Sequence, residues 1–170
     1  MVLTAVGQDR PGLVQEISAA IHEAGANLED SRMAILGGEF ALILLFSGST
    51  TAVTQVEQRC ATLSGRLGLR VSLHETERAP ASQAFLPYRL RVSGMDRPGI
   101  VAGVSKVLAD RGINVASLES RVQHAPLSGT PMFLLQAEIQ VPSEVALSSL
   151  RKELGAVCDE ENLDFWLEAG

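Results

Sequence analysis

Asp9-Arg10-Pro11-Gly12 and Asp96-Arg97-Pro98-Gly99 are the residues of this chain whose types and spacing best suit chemistry, and they are the same four residues in the same order. Each tetrapeptide stands just ahead of a run with helical spacing. Proline is favoured at a first helical position, because its fixed φ suits the helix and its missing N–H would go unbonded there. An aspartate two positions earlier can accept hydrogen bonds from the free amides of the first turn. Glycine beside the proline puts no side chain over those amides, so another chain or a small ligand could approach the backbone. Two readings follow. A capped helix spends the aspartate on the amides. A site for a small carboxylate leaves them to an anion, drawn by unpaired donors and the partial positive charge of a helix N-terminus, and the aspartate competes with that anion. Asn27 and Asn114 follow each turn at the same distance. Asparagine suits a turn with positive φ.

Catalysis finds less support. His22, His74 and His124 are the three histidines, one each in a helix-like, a strand-like and a loop-like stretch, and none has a second ligand at metal spacing. There is no Gly-x-Ser-x-Gly elbow, phosphate-binding glycine loop or Cys-x-x-Cys pair, and no serine is set beside a histidine in a way the sequence can show. The expectation is a protein that is not an enzyme, with no catalytic residues, no metal and no cofactor.

The turns belong to a longer repeat. Gly7 to Val14 returns as Gly94 to Val101, and at the same offset Ser18 matches Ser105, Gly25 matches Gly112 and Asn27 matches Asn114. A register kept that long reads as a duplicated module, which divides the 170 residues into a first domain over 1–76, a linker over 77–87 and a second domain over 88–170. Domains of about 80 residues bury a limited core and are often helped by packing on a neighbour.

Within the first module Val2 to Val6 reads as a buried strand. Leu13, Val14, Ile17, Ala20, Ile21 and Ala24 fall at 3.6-residue spacing, which predicts a helix starting on Pro11 with Gly25 just past its end. Asn27 to Leu36 alternates imperfectly and carries Glu29, Asp30 and Arg32, as an edge strand would. Gly37-Gly38 signals a hairpin. Phe40 to Phe46 is apolar throughout and predicts a central strand covered on both faces. A second helix over Ser49 to Arg66, with a stripe of Val53, Val56, Cys60, Leu63 and Leu67, leads to a closing strand over Leu69 to Leu73 with one wet face. The order is β-α-β-β-α-β with strands arranged 4-1-3-2. The second module repeats it, with strands over Tyr88 to Val92, Ile113 to Gln123, Met132 to Val141 and Leu163 to Leu167, and helices after Pro98 and over Val145 to Val157. Where the first has Gly-Gly, the second has the loop His124 to Pro131, either functional or a neutral insertion.

Composition narrows the classes. Hydrophobic residues make up 46% and charged residues 20%, a globular balance. The net charge is −6 and no basic stripe exists, so direct nucleic-acid binding is disfavoured, because phosphate contacts supply most of that affinity. No apolar run is long enough to span a membrane, and the N-terminus does not read as a secretory signal. Cys60 and Cys158, at non-equivalent places in the repeat, read as reduced packing residues of a cytoplasmic protein.

The strand, the Asp-Arg-Pro-Gly turn, the helix, the Gly25-Ala26-Asn27 and Gly112-Ile113-Asn114 steps and the following strand-helix-strand together resemble the ACT domain. The resemblance covers nearly the whole chain, in two copies. It implies an α+β fold of two tandem ferredoxin-like units, each an antiparallel four-stranded sheet with helices on one face. It also implies pairing through sheet edges and amino-acid binding at the pairing interface. The implied ligand-binding residues are Asp9, Arg10, Pro11, Gly12 and Asn27, with Asp96, Arg97, Pro98, Gly99 and Asn114. A short chain of two such domains further resembles the glycine cleavage system transcriptional repressor group. That implies a regulator of glycine metabolism which responds to a small amino acid such as glycine, acts through a protein partner such as a transcription activator, and could form a homodimer. No helix-turn-helix lies outside the two modules. The alternative is an ACT module acting in trans on a metabolic enzyme, since paired ACT domains also occur attached to phosphoserine phosphatase and formyltetrahydrofolate deformylase.

Overall fold

The structure is a computed structural model that describes residues 1–77, 85–126 and 128–170. The chain falls into two compact units, Met1–Ala79 and Pro80–Gly170. The first runs β1 (Val2–Gln8), α1 (Leu13–Glu23), β2 (Asn27–Leu36), β3 (Glu39–Ser47), α2 (Thr50–Leu67) and β4 (Arg70–His74). The second repeats the order with β5 (Phe85–Met95), α3 (Ile100–Asp110), β6 (Asn114–His124), β7 (Pro131–Pro142), α4 (Leu147–Glu160) and β8 (Leu163–Ala169). Both sheets are antiparallel, ordered β2-β3-β1-β4 and β6-β7-β5-β8. The charged Asn27–Leu36 run lies at an edge and the apolar Phe40 to Phe46 run in the middle, as their patterns predict.

Each unit has its own core on the helix side of its sheet. In the first, Leu3 and Ala5 of β1 and Phe40, Leu42, Leu44 and Phe46 of β3 meet Leu13, Ile17 and Ile21 of α1 and Val56, Cys60 and Leu63 of α2. In the second, Leu90, Val92, Leu135, Ala137 and Ile139 meet Val104, Leu108, Leu150, Leu154 and Cys158. At about 25 cal/mol per Å² of apolar surface removed from water, these clusters supply most of what offsets chain entropy.

Several expectations need correction. Phe40 to Phe46 is not covered on both faces: its burial alternates, with Ile43 50% exposed, because both helices pack on the same side. The helices after the turns begin at Leu13 and Ile100 rather than on the prolines. Gly12 and Gly99 stand at the N-cap with φ of 96° and 101°, the left-handed region that favours glycine. Among the described residues no side chain caps either helix, so Asp9 and Asp96 leave the first-turn amides alone. β2 alternates imperfectly because a bulge between Leu28 and Asp30 adds one residue, and β6 has the matching irregularity between Val115 and Ser117. β5 begins at Phe85, earlier than its apolar run suggests, and most of the expected 77–87 linker lies outside the described residues.

Glycine and asparagine close the elements. Gly25 N donates to His22 O at 2.9 Å and Ala26 N to Ile21 O at 3.2 Å, a Schellman ending. Gly112 and Ile113 repeat it on Ala109 O and Leu108 O, both at 3.0 Å. Gly37 and Gly38 turn the first hairpin with φ of 60° and 85°, as a type I′ turn requires.

Candidate ligand-binding turns

Each Asp-Arg-Pro-Gly turn links the end of the first strand of its unit to the helix behind it. Asp9 N donates to Gly38 O at 3.0 Å, and Asp96 N to Pro131 O at 3.1 Å. The tip of the β2–β3 hairpin therefore lies beside the first turn, and the longer β6–β7 connection beside the second. That connection is closed by its own bonds, Ala125 N to Thr130 O and Gly129 N to Ala125 O, both at 2.9 Å.

Glu16 N donates to Gly12 O and Gly103 N to Gly99 O, both at 2.9 Å. These are the first bonds of the two helices, so the amides of residues 13–15 and 100–102 have no intrahelical acceptor. A Cβ built on Gly12 or Gly99 would meet nothing within 4 Å. The turns are open to solvent, with Asp9, Arg10, Pro11 and Gly12, and Asp96, Arg97, Pro98 and Gly99, all exposed. Arg10 reaches Glu16 only at 3.5 Å, while Arg66 binds the other oxygen of Glu16 at 2.7 Å.

The first turn borders a concavity of about 570 Å³ lined by Asp9, Gly12, Val14, Met33, Ile35 and Phe40 among others. Met33 and Ile35 pair with the buried Leu42 and Phe40, so they project from the edge strand on the helix side. By the sheet register the matching residues beside the second turn are Ser120 and Val122, opposite Leu135 and Phe133. Sequence reasoning missed these neighbours, since only strand register brings them to the turns.

Asn27 and Asn114 do not share these places. Asn27 pairs with Ser47 at the far end of the sheet, whereas Leu36 and Gln8 both pair with Glu39 at the turn end. The six steps from Asn27 to Met33 span about 20 Å at 3.3 Å per residue, so one small molecule cannot touch both groups of a single unit. Asn114 Nδ2 donates to Gln140 Oε1 at 2.8 Å. The Asn27 side chain bonds nothing among the described residues.

The strand residues Gly7 and Gly94, part of the repeat but without an assigned role in the sequence, have a clear one here. A Cβ on Gly7 would stand 2.9 Å from Gly68 O and 2.8 Å from a methyl of Leu69. On Gly94 it would stand 3.1 Å from Asn162 O and 2.5 Å from a methyl of Leu163. The close approach seats the start of the turn against the last helix–strand connection.

Other titratable groups lie apart from the turns. Cys60 and Cys158 are buried free thiols, and burial pushes both up to about 11, which leaves them protonated and inert at neutral pH. His74 lies 3.4 Å from the Ser72 hydroxyl, which pairs with Thr4 at 2.6 Å, all three on the exposed sheet face. No three of His, Cys, Asp and Glu cluster as metal ligands among the described residues, and no helix of the described residues is long and apolar enough to cross a membrane.

Two family profiles, both described as ACT domain, match residues 1–74 and residues 88–155. The glycine cleavage system transcriptional repressor of Escherichia coli (strain K12) is 30% identical over 162 residues, covering 95% of this chain and 85% of that protein. The crystal structure of an unknown protein from Galdieria sulphuraria superimposes with a TM-score of 0.84 at 32% identity, covering 99% of this chain and 96% of that one. A second solved structure, described as a candidate glycine cleavage system transcriptional repressor, gives 0.72 at 30% identity over 98% of this chain and 94% of its own.

Proposed function

The chain belongs to the ACT domain family, with one domain in each half, and from that premise we propose that it is a non-enzymatic cytoplasmic regulator that answers to a small amino acid. Its relatives support a regulatory role. The finer reading is control of glycine metabolism at the level of transcription, through a protein partner. A net charge of −6 opposes duplex DNA and leaves the partner to make any such contact.

The observation that carries the reading is the pair of uncapped helix starts. At each, glycine in the left-handed region presents first-turn amides that no side chain among the described residues occupies. These amides suit a carboxylate. Asp9 and Arg10, with Asp96 and Arg97, stand beside them as the charged groups of each turn, and Pro11 and Pro98 hold the backbone. Asn27 and Asn114 form a second polar group at the other end of each edge strand, where the amide suits either end of a zwitterion.

Thermal unfolding against a panel of amino acids tests this. A ligand of the native state adds about 2.7 kcal/mol at a hundred times its dissociation constant, so glycine or a close relative is expected to raise the melting temperature. Asn27→Ala and Asn114→Ala should blunt the response if the asparagines take part. An equal response in both variants removes the asparagines from the site, and no response to any amino acid at millimolar concentration removes the ligand. Co-purification of the untagged protein from its native cell decides the partner: a transcription factor supports the proposal, and a metabolic enzyme replaces it with regulation in trans.

A further inference from the structure

The two units differ in the groove between their helices. In the first, two ion pairs cross it: Arg66 of α2 binds Glu16 of α1 at 2.7 Å, and Arg59 binds Glu23 at 2.5 Å. The repeat puts Gly103 where Glu16 stands and Asp110 where Glu23 stands. Gly68 and Asn162 hold the same place before the last strand, so counting back from them sets Glu160 at the position of Arg66 and Glu153 at that of Arg59. Neither crossing pair survives. One position has no side chain to offer, and the other sets Asp110 near Glu153, two carboxylates that repel. Asp110 is held instead by Lys106 of its own helix at 2.6 Å, and Glu153 by Arg111. Glu160 and Glu161 form no ion pair among the described residues. The result is a groove of about 480 Å³, with Ile100, Gly103, Val107 and Val157 along it and Glu160 and Glu161 at the end beside the start of α3.

We propose that the α3–α4 groove docks a basic amphipathic helix of the protein partner, apolar on the docked face and carrying an arginine or lysine that meets Glu160 and Glu161. The inference rests on the partner-mediated reading above and gives it a surface. Charge sets the occupant. The first unit supplies its own arginine to a carboxylate of the groove, whereas in the second the cations nearest the groove are already paired and two carboxylates stand open. A cation brought from outside relieves their mutual repulsion, and an acidic segment is turned away. Glycine is disfavoured in a helix interior, and Gly103 keeps the middle of the groove clear: a Cβ built there would stand 3.3 Å from a methyl of Val157. A helix suits the floor because it bonds its own backbone, while an extended segment would lay unpaired N–H and C=O groups on apolar side chains. With 11 residues, α3 is about 16 Å long, so about three turns of the partner fill the groove. The carboxylates are exposed, which makes the attraction sensitive to salt.

The probe is an alanine-rich helical peptide of about 16 residues, with leucine and arginine at helical spacing on adjoining faces, titrated into the full chain by fluorescence anisotropy. Glu160→Arg, an exposed change that leaves the core alone, should raise the dissociation constant at least about tenfold. Glu57→Arg, the same change of charge on α2 of the first unit, should leave it unchanged, and a peptide with glutamate in place of arginine should not bind. Gly103→Glu with Glu160→Arg rebuilds the pair that crosses the groove of the first unit and should abolish binding. In the co-purification from the native cell, Glu160→Arg should shed the partner that wild type holds. A partner retained by Glu160→Arg overturns the groove and leaves the regulatory reading standing. A wild type that holds no partner strikes that reading, while the peptide titration still decides the groove. No binding of the arginine peptide at about 200 μM protein, or an equal loss in Glu57→Arg, would each overturn the proposal.

Discussion

Gly7 and Gly12 are five residues apart and are glycines for different reasons, as are Gly94 and Gly99. Gly12 has open space around its missing Cβ but a φ of 96°, so Gly12→Ala is expected to cost about 1–2 kcal/mol through left-handed backbone strain alone. Gly7 lies outside that region and instead lacks room, with Gly68 O 2.9 Å from a built Cβ. Gly7→Ala forces β1 and the α2–β4 connection apart, an overpacking worth about 1–3 kcal/mol. Urea unfolding of the two variants, and of Gly94→Ala and Gly99→Ala, checks both figures. Asn162 shows the exchange allowed at such positions: its φ of 53° puts it in the role Gly68 has before β4, which asparagine tolerates better than most residues. The two thiols give a second prediction at this scale. Held up to about 11 by burial, Cys60 and Cys158 should resist a thiol reagent in the folded protein at pH 7 and both react in denaturant. Fast labelling of the native state would contradict their placement.

The elements are closed by a few local bonds whose loss is measurable. Ser49 Oγ accepts from Ala52 N at 3.2 Å at the start of α2, and Ser49→Ala should cost about 1 kcal/mol by exposing that amide. The counterpart helix α4 starts from Ala146 with no side-chain cap and offers no such handle. α3 and α4 are instead tied by Arg111, whose guanidinium binds Glu153 and, at 2.7 Å, the Ser149 hydroxyl. The hydrogen bond from Arg111 is the main cause that holds the Glu153 carboxyl below its ordinary value of 4.5. A lowered carboxylate pKa stabilises the fold above the unfolded value and loses that stabilisation as pH falls through the folded one. Glu153→Gln should therefore melt earlier than wild type at pH 7, by a small margin for so exposed a pair, and the difference should fade as the pH drops below 4.5. Melting curves from pH 7 to pH 3 test the sign.

At the scale of the whole molecule each hydrophobic cluster draws on one unit only. Val56 of the first and Leu150 of the second are both fully buried. Leu150→Ala removes a side chain at the centre of its cluster and should cost about 2–5 kcal/mol. Hydrogen exchange is the suitable readout: amides of β5 to β8, α3 and α4 should lose protection in Leu150→Ala, and those of β1 to β4 should lose it in Val56→Ala. Uniform loss throughout the chain in either variant would show that the cores are not the separate cooperative units their membership suggests.

The duplication, the order of elements in each copy, the edge position of β2 and the central position of β3 were all legible in the sequence. They rest on patterns carried by neighbouring residues: a constant offset, a 3.6-residue stripe, a run of charges, a run of apolar side chains. What sequence could not decide depends on groups remote along the chain. Seven apolar residues from Phe40 to Phe46 look alike whether a strand is covered on one face or two, and only the packing of both helices on one side leaves Ile43 and Leu45 open. An aspartate two residues before a proline looks like a cap, and only the left-handed Gly12 turns the chain so that Asp9 caps nothing. Asn27 is 15 residues from Gly12, near enough in sequence to suggest one site. The helix and strand between them instead carry the two to opposite ends of the sheet, because each element has a fixed rise per residue and its length becomes distance.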